Sequence, residues 1–321
     1  MSPEEKLELI KRNAVEILNE KELSPFLKRK NLSAYCGYEP SGQIHLGHLV
    51  TIMKLLDLQR AGITPVILLA DWHAWLNKKG SWKEIEEQVK SWEKAFKAAG
   101  LTRAKFVKGS SFQTKQKYIE DVLKLSLEIT LSRGLRSMEA IARELENAKI
   151  SQMFYPLMQI VDIKSLEIDI ALGGMEQRKV HVLAMETLKK IKAKKNPVFI
   201  HTGIITSLKG PGSKMSSSMP ESMISILDSP KEIENKIKKA HCVSGQTSQN
   251  PILEITRYLL FPKFEKIEIK RRPEHGRLQT YTDYVSLEKD FAAKKLHPLD
   301  LKNAVAFSLN ELLAPIRNSW K

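Results

Sequence analysis

His45 and His48 stand three residues apart at the start of a helical pattern. The chain before them is apolar over residues 32–38 and breaks at residues 40–42, which predicts a strand, a turn and a helix. Residues three apart share one helix face, and a helix amino terminus offers unpaired N–H groups to an anion. Gly47 leaves room for a flat base against the backbone. The pattern favours a polyphosphate site; a turn with two surface histidines is the structural alternative.

A second stretch suited to phosphate lies far downstream, at residues 210–218. Its glycines predict a mobile loop, and Lys214 can deliver a point charge to a phosphate. Ser216 and Ser217 add hydroxyl and N–H groups for the same anion. The glycine-rich fingerprints of dinucleotide sites and P-loops are absent from the sequence, so nucleotide chemistry has to use the histidines and this loop. A serine-rich linker is the structural alternative.

Three polar side chains recur in an otherwise apolar segment further along the chain. Tyr155, Gln159 and Asp162 are spaced by four and three residues, so a helix carries them on one face. Gln177 follows the next strand pattern and lies in the first turn of the following helix. Polar groups in so apolar a setting need partners if they are buried. A core Tyr155 and an exposed helix end at Asp162 are the alternative.

The elements that position these residues are strands alternating with helices. Apolar segments at residues 32–38, 65–70, 104–109, 168–174 and 197–201 predict five strands, with a helix from about residue 82 to 99. The run at 65–70 is unbroken, which indicates a strand covered on both faces, as in a parallel sheet. The alternation predicts a doubly wound, Rossmann-like α/β fold, in which functional side chains lie at the carboxyl ends of the strands.

The remaining regions read as helical. We predict a helical lead-in over residues 1–30, an α/β domain over 31–221 with a helical insertion at about 117–150, and a small, mostly helical domain over 222–321. An apolar stripe on the insertion suits a subunit interface, although a packed helical hairpin explains it equally. Arg133, Arg136 and Arg143 of this insertion could contact RNA.

The composition indicates a polyanionic partner. The chain of 321 residues has 52 Lys and Arg against 37 Asp and Glu, giving a net charge of +15 at pH 7. Such a balance attracts phosphate backbones, so we expect RNA binding. Cys36 and Cys242 show no disulfide or metal-ligand spacing, which suits a reducing cytoplasm. We expect no membrane-spanning segment and no signal peptide.

His45-Leu-Gly-His48 together with Lys214-Met-Ser-Ser-Ser218, on a doubly wound frame, resembles the class I aminoacyl-tRNA synthetases. Four further stretches narrow the resemblance: Tyr-Cys-Gly-Tyr-Glu-Pro-Ser-Gly at 35–42, Ala-Asp-Trp-His-Ala at 70–74, Tyr-Pro-Leu-Met-Gln at 155–159 with Asp162, and Gly-Gly-Met-Glu-Gln-Arg at 173–178. Over nearly its whole length the chain resembles tyrosyl-tRNA synthetases of the archaeal and eukaryotic type. Cys36 departs from the aliphatic residue expected at its position.

The resemblance implies a reaction without a protein nucleophile. Tyrosine's carboxylate attacks the α-phosphate of ATP to form tyrosyl-adenylate and pyrophosphate, and the tyrosyl group then passes to the 3′ end of tRNA(Tyr). Catalysis then consists of positioning and charge stabilisation. Mg²⁺ enters with ATP, and the protein works as a homodimer through its inserted helices. The carboxyl-terminal domain reads the anticodon.

The resemblance also implies roles for individual residues. Tyr35 and Asp162 would bind the phenol hydroxyl, and Tyr155, Gln159 and Gln177 the ammonium group. The implied catalytic residues are His45, His48, Lys214 and Ser217, and the same four residues with Gly47 and Ser216 would bind ATP. The implied tyrosine-binding residues are Tyr35, Gly37, Tyr155, Gln159, Asp162 and Gln177. The implied tRNA-binding residues are Arg136, Arg178, His297 and Asp300, and no protein-bound metal is expected.

Two other functions remain open at this point. A tryptophanyl-tRNA synthetase shares the fold and a related lysine loop, but two oxygen-bearing groups at Tyr35 and Asp162 suit a phenol hydroxyl. A catalytically silent RNA-binding relative would have a damaged histidine or lysine motif, and both are intact. For Asp300, a carboxylate can accept from both N–H donors of an anticodon guanine; its structural alternative is a place in the first turn of a helix.

Overall fold

The computed structural model describes residues 1–138, 149–271 and 278–320. Contacts divide the chain into two compact units. The first unit comprises Met1–Ser41, Lys54–Phe96 and Leu101–Thr202, and the second comprises Gly42–Met53, Lys97–Gly100 and Gly203–Lys321.

Helices and strands alternate through the first unit. In chain order they are α1 (Pro3–Lys11), β1 (Ala14–Leu18), α2 (Leu23–Leu27), β2 (Ser33–Tyr38), α3 (Leu46–Arg60), β3 (Thr64–Leu69), α4 (Asp71–Leu76), α5 (Trp82–Ala98), β4 (Lys105–Lys108), α6 (Gln116–Ser126), α7 (Leu131–Met138), α8 (Ile150–Ser165), β5 (Ile170–Gly174), α9 (Arg178–Thr187) and β6 (Val198–Thr202). Helix α3 begins in the second unit and ends in the first.

The first unit is built on a six-stranded sheet with the order β1-β6-β5-β2-β3-β4. The five strands from β2 to β6 pair in parallel, and β1 pairs antiparallel with β6. The predicted doubly wound α/β fold is confirmed. Strand β3 explains why the prediction worked: every residue after Thr64 is buried, as expected for a strand covered on both faces.

Amphipathic helices cover this sheet. In α5 the residues Ile85, Val89, Trp92 and Phe96 are buried at spacings of four, three and four, which forms one apolar stripe. Helices α6 and α8 contribute apolar side chains to one core with β2, β3 and β5. The core thereby fixes the carboxyl ends of the strands and the polar face of α8.

The prediction of a helical lead-in over residues 1–30 is wrong for Ala14–Leu18, which form β1. This strand joins the sheet because the edge of β6 offers it a row of backbone partners. The preceding helix α1 is held by Lys54, whose buried Nζ donates to the carbonyl oxygens of Leu9, Ile10 and Arg12 at 2.5–2.8 Å. These are carbonyls at the helix carboxyl terminus that would otherwise lack partners.

The second unit carries most of the carboxyl-terminal elements. They are α10 (Pro230–Lys239), α11 (Pro251–Ile255), a π-helical turn (Thr256–Leu260), β7 (Ile267–Lys270), β8 (Leu278–Tyr281), α12 (Tyr284–Ala292) and α13 (Pro298–Trp320). The antiparallel pair β7–β8 was not predicted, because only Ile267 and Ile269 alternate in so short a strand. Within the described ranges, no helix is long and apolar enough to cross a membrane.

The predicted boundaries of the helical insertion and of the carboxyl-terminal domain differ from the ranges in the structure. The insertion at about 117–150 contains α6 and α7, but residues 139–148, with Arg143, lie outside the described residues. The second unit begins at Gly203 rather than at residue 222, and it also takes in residues 42–53 with the two motif histidines.

Candidate active site

The polar face of α8 is buried in the first unit. Tyr155 and Gln159 are each 8% exposed and Asp162 is fully buried, so Asp162 is not an exposed helix end. Tyr35 is buried on β2, and a Cβ atom at Gly37 would lie 2.5 Å from the Tyr35 hydroxyl. Residues two apart share a strand face, so only glycine at position 37 leaves Tyr35 its place.

Asp162 is anchored through one of its two carboxylate oxygens. Its Oδ1 accepts from Gln113 Nε2 at 2.8 Å and from the Tyr118 hydroxyl at 2.8 Å. Its Oδ2 is buried without a hydrogen-bond partner among the described residues, and His73 Nε2 lies 3.7 Å away. A buried oxygen without a donor costs free energy unless a ligand supplies one. Asp162 therefore presents a fixed acceptor for a donor such as a hydroxyl group.

Burial controls the ionisation of this pocket. It raises the pKa of Asp162 to about 7, against the hydrogen bonds from Gln113 and Tyr118 that lower it. Burial, followed by the Asp162 charge, raises the pKa of Tyr35 well above its usual range, so Tyr35 keeps its hydroxyl proton. Burial also lowers the pKa of His73 to about 4, so this imidazole is neutral at pH 7.

The ends of β3 and β4 hold the Gln113 loop in place. Asp71, directly after β3, accepts from Ser110 N at 2.8 Å and from Ser110 Oγ at 2.5 Å. A Cβ atom at Gly109 would lie 2.3 Å from Gln113 Oε1 and 2.7 Å from Asp71 Oδ1. These contacts fix the loop in which Gln113 Nε2 donates to Asp162.

A glutamine pair forms another part of the same unit. Gln159 Nε2 donates to Gln177 Oε1 at 3.1 Å, which joins α8 to the turn Met175–Gln177 after β5. Gln159 Oε1 is buried and has no hydrogen-bond partner in the described parts of the chain. This fixed amide oxygen suits a cationic donor such as an ammonium group.

The two motif histidines lie together in the second unit. Their ring centroids are 4.0 Å apart. Helix α3 begins at Leu46, so His45 precedes it and His48 lies in its first turn. A β-bridge between His45 and Ser225 fixes the amino terminus of α3, and Leu46 N donates to Ile224 O at 3.0 Å beside it.

Backbone contacts determine which histidine nitrogen carries the proton. His48 Nδ1 accepts from His45 N at 3.3 Å, and His45 Nδ1 accepts from Gly47 N at 3.1 Å. Burial and then the Lys214 charge lower the pKa of His45 to about 4. Burial, His45 and Lys214 lower that of His48 well below its usual range. At pH 7 both rings are therefore neutral, with the proton on Nε2 as a hydrogen-bond donor.

The Lys214 loop packs against the histidine segment, although about 170 residues separate them in sequence. A Cβ atom at Gly42 would lie 3.0 Å from Ser217 Cβ and Oγ, and one at Gly47 would lie 4.0 Å from Met215 Cβ. Gly42 has φ +63°, which other residues rarely adopt. The hydroxyls of Ser216 and Ser218 lie 3.0 Å apart. The structure thus brings into one unit the two motifs for which the sequence predicts phosphate binding.

Arg136 and Arg178 line a basic cavity of about 280 Å³ in the first unit. The other lining residues are Arg133, Ser137, Lys179, Val182 and Leu183. Arg178 Nε donates to both carboxylate oxygens of Glu16 at 2.8–2.9 Å. The clustered guanidinium groups suit an RNA phosphate or base edge.

A hydrogen-bonded chain runs inward from Arg178. Glu16 lies 2.9 Å from His201 Nδ1, and His201 Nε2 lies 3.0 Å from His181 Nδ1. Burial and then the neighbouring His201 lower the pKa of His181 to about 3. An ionised Glu16 can only accept, so His201 donates to it from Nδ1. A neutral His201 then has an unprotonated Nε2, which accepts from His181, so the His181 proton lies on Nδ1. Its bare Nε2 is buried, with its ring edge against Gly173.

His297 and Asp300 open the last long helix. His297 O accepts from Leu301 N at 3.1 Å, and Pro298 is the first residue of α13. Asp300 lies in the first turn, where a carboxylate meets the positive end of the helix dipole. His297 is exposed and Asp300 half-buried, so both can be reached by a ligand. Asp300 therefore has the structural position predicted as the alternative, in the first turn of a helix, and this position leaves it accessible to RNA.

Comparison with known proteins identifies the family. The model of the family "tRNA synthetases class I (W and Y)" matches residues 27–314. A tyrosine–tRNA ligase from Methanosarcina barkeri is 47% identical over 316 residues, covering 98% of each chain. The chain belongs to the tyrosine–tRNA ligase family. This confirms the family and the activity predicted from the sequence.

Further relatives agree with this assignment. A tyrosine–tRNA ligase from Methanocaldococcus jannaschii is 49% identical over 314 residues, covering 98% of this chain and 99% of its own. The structure of a tyrosyl-tRNA synthetase from Archaeoglobus fulgidus, complexed with L-tyrosine, superposes with a TM-score of 0.93 at 46% identity over the full length of both chains. The archaeal type of the family is thereby confirmed.

Sequence reasoning missed the residues that hold the predicted ones in place. Gln113 and Tyr118, which anchor Asp162, were not predicted. Asp71, which positions the Gln113 loop, and His73 belong to the motif at residues 70–74, but neither was given a specific role. Their signal in the sequence is weak, because a glutamine in a loop and a tyrosine on a helix are common anywhere.

Proposed function

We propose that the chain activates L-tyrosine with ATP to tyrosyl-adenylate and pyrophosphate, and then transfers the tyrosyl group to the 3′ end of tRNA(Tyr). The observation that carries this proposal is the buried Oδ2 of Asp162, which has no donor among the residues that the structure describes, near the protonated hydroxyl of Tyr35. A phenol hydroxyl donates to the first and accepts from the second. An indole N–H can donate but has no acceptor to offer to Tyr35.

The glutamine pair extends the pocket toward the amino-acid end of the substrate. Gln159 Oε1 accepts from the tyrosine ammonium, and Gln177 holds Gln159 in that orientation. The Tyr155 hydroxyl contributes the third contact predicted from the sequence. With both ends bound, the tyrosine carboxylate is left for attack on ATP.

The residues that act on the phosphates of ATP in this proposal lie in the second unit. His45 and His48 donate from Nε2 to the phosphate that gains charge during attack, and they do so as neutral rings. Lys214 supplies the positive charge, and Ser216 and Ser217 donate to the departing pyrophosphate. Gly47 leaves space for the adenine base. Fixed donors of this kind act on the transition state more than on the bound substrate.

Mg²⁺ accompanies ATP and is held by phosphate oxygens and water. Among residues 1–138, 149–271 and 278–320, no group of three or more His, Cys, Asp or Glu side chains could hold a metal ion. Mg²⁺ commonly keeps several waters and binds through substrate phosphates rather than through a protein cage. The ion supplies charge neutralisation on the phosphates.

tRNA contacts both units in this proposal. Arg136 and Arg178 receive the acceptor end in the basic cavity of the first unit. Asp300, beside His297, accepts from the two N–H donors of the guanine that begins a tyrosine anticodon. The net charge of +15 supports such a partner. A cytoplasmic location is part of this proposal, and the two cysteines, which form no disulfide with each other, are consistent with it.

The protein acts as a homodimer through its inserted helices. Ile119, Leu123 and Leu127 are spaced by four residues and are 44%, 55% and 86% exposed. Leu131 and Ile150 extend the exposed apolar set at 67% and 80%. Exposed side chains of this size, repeated along one helix face, indicate an interface. Leu123→Glu with Leu127→Glu should convert a dimer to monomers in analytical ultracentrifugation, while a wild-type monomer would contradict the proposal.

The decisive experiment is ATP–pyrophosphate exchange with each of the twenty amino acids in turn. Tyrosine alone should support exchange by the wild type. Exchange with tryptophan instead would favour the tryptophanyl alternative, and the absence of exchange with every amino acid would favour the RNA-binding relative. Tyrosylation of a tRNA transcript with a guanine-first anticodon then tests the transfer step.

A further inference from the structure

The Lys214 loop is a hairpin with a defined base. Met215 N donates to Ile205 O at 2.9 Å, and Ser207 N donates to Ser213 O at 2.9 Å. These two bonds place Thr206 directly opposite Lys214. Any displacement of Thr206 is therefore passed to Lys214.

Thr206 is in turn held by a carboxylate from α11. Glu254 accepts from Thr206 N at 2.6 Å and from Thr206 Oγ1 at 3.0 Å. Both donors of Thr206 thus face the same carboxylate, and bonds to an ionised acceptor are stronger than neutral ones. Helix α11 is itself fixed at its start, because Asn250 Oδ1 accepts from Ile252 N and Leu253 N.

A second contact from the same helical face reinforces the first. Tyr258 lies four residues after Glu254, and a Cβ atom at Gly203 would lie 2.1 Å from Tyr258 Cζ. Residues four apart share a helix face, so Glu254 and Tyr258 contact Thr206 and Gly203 together. Tyr258 stands in the π-helical turn, a rare conformation that is frequent at functional sites.

Two further bonds tie the hairpin to the same part of the second unit. Gly212 N donates to Gln249 Oε1 at 3.2 Å, and His241 N donates to Leu208 O at 2.7 Å. The segment from His241 to Tyr258 therefore contacts the hairpin at Thr206, Leu208 and Gly212.

We propose that Glu254 is a positioning residue of the adenylation reaction, which sets the place of Lys214 by holding Thr206. This inference rests on the proposed function of Lys214. In this role Glu254 acts through the two backbone bonds that flank the Thr206–Lys214 pair. A displacement of about 1 Å in a charge aimed at the transition state can cost about 100-fold in rate.

The test compares adenylate formation by variants in single turnovers at saturating tyrosine and ATP. Glu254→Ala removes both acceptor oxygens of the contact with Thr206. We expect its rate constant to fall about 10- to 100-fold with KM for tyrosine unchanged. The rate constant of Glu254→Gln should fall less, because its amide oxygen can accept from Thr206 N and its amide nitrogen can donate to the Thr206 hydroxyl oxygen. The rate constant of Thr206→Val, which loses only the hydroxyl, should also fall less, and Thr206→Ser should retain the wild-type rate constant.

The double variant Glu254→Ala with Thr206→Val identifies the shared contact. If Glu254 acts through Thr206, it should be no slower than Glu254→Ala alone, because contacting residues are not additive. Additive losses, a change confined to KM for tyrosine, or a wild-type rate for Glu254→Ala would each overturn the inference. Thr206→Val carries the test if Glu254→Ala does not fold.

Asp290→Ala is the matched control. Asp290 lies in the same unit and accepts from Gln279 Nε2 and the Tyr281 hydroxyl, each at 3.0 Å. Its variant should lower thermal stability and leave the rate constant at the wild-type value; an equal loss of rate would overturn the inference by showing a general response to destabilisation. Wild-type exchange with tyrosine, measured first, separates this inference from the proposed function itself.

Discussion

Asp162→Asn should remove much of the preference for tyrosine over phenylalanine. The substitution retains Oδ1, so the bonds from Gln113 and Tyr118 can persist. It replaces Oδ2, which has no partner among the described residues, by an NH₂ group that cannot accept from a phenol. Above pH 7, where Asp162 is ionised, a hydrogen bond to this charged acceptor contributes about 1.5–3 kcal/mol, or about 10- to 150-fold in kcat/KM for tyrosine. The kcat/KM for phenylalanine, which makes no such bond, should not change.

The assay is ATP–pyrophosphate exchange with each amino acid, giving kcat/KM for both and their ratio. Tyr118→Phe is the matched control, because it removes a donor to Oδ1 and leaves Oδ2 in place. It should change the ratio less than Asp162→Asn does. A wild-type ratio in Asp162→Asn, with a melting temperature close to that of the wild type, would refute the assignment of the phenol pocket.

The same carboxyl predicts a pH dependence of stability. Its pKa rises from 3.8 to about 7 on folding, because burial disfavours the ionised form. Between these pH values the folded state binds more protons than the unfolded state, so stability decreases as pH rises. The full effect is about 4 kcal/mol. Urea unfolding at about pH 4 and about pH 7 should show this decline in the wild type and a shallower one in Asp162→Asn.

Three further predictions concern other parts of the chain. His48→Ala and Lys214→Ala should each slow adenylate formation in single turnovers while leaving tyrosine affinity unchanged; a loss of affinity alone would contradict their roles. Lys54→Met should lower the free energy of unfolding by about 2–4 kcal/mol, because three carbonyls of α1 and the chain after it lose their donor; denaturant titration measures this, and an unchanged midpoint would refute it. Asp300→Ala should reduce charging of tRNA with a guanine-first anticodon and spare pyrophosphate exchange, whereas a purely structural Asp300 would lower the melting temperature and retain the base preference.

Short-range patterns predicted most of the fold. The unbroken apolar run of β3 identified a strand covered on both faces, and the spacing of Tyr155, Gln159 and Asp162 placed them on one helix face. Both conclusions hold because they depend on neighbours in sequence, which backbone geometry relates directly. Where the local signal was short or ambiguous, in β1 and in β7–β8, the prediction was incomplete or wrong. Pairing with another strand decided those segments.

The residue types and their family motifs by themselves determined which side chains could carry the chemistry. The tertiary structure alone decided what holds them and in which protonation state. Gln113 lies 49 residues from Asp162 in sequence, and Glu254 lies 48 from Thr206. The neutral state of His45 follows from its burial and from Lys214, far along the chain. Desolvation and long-range hydrogen bonds depend on how separate elements pack, and no periodicity within one element encodes that packing.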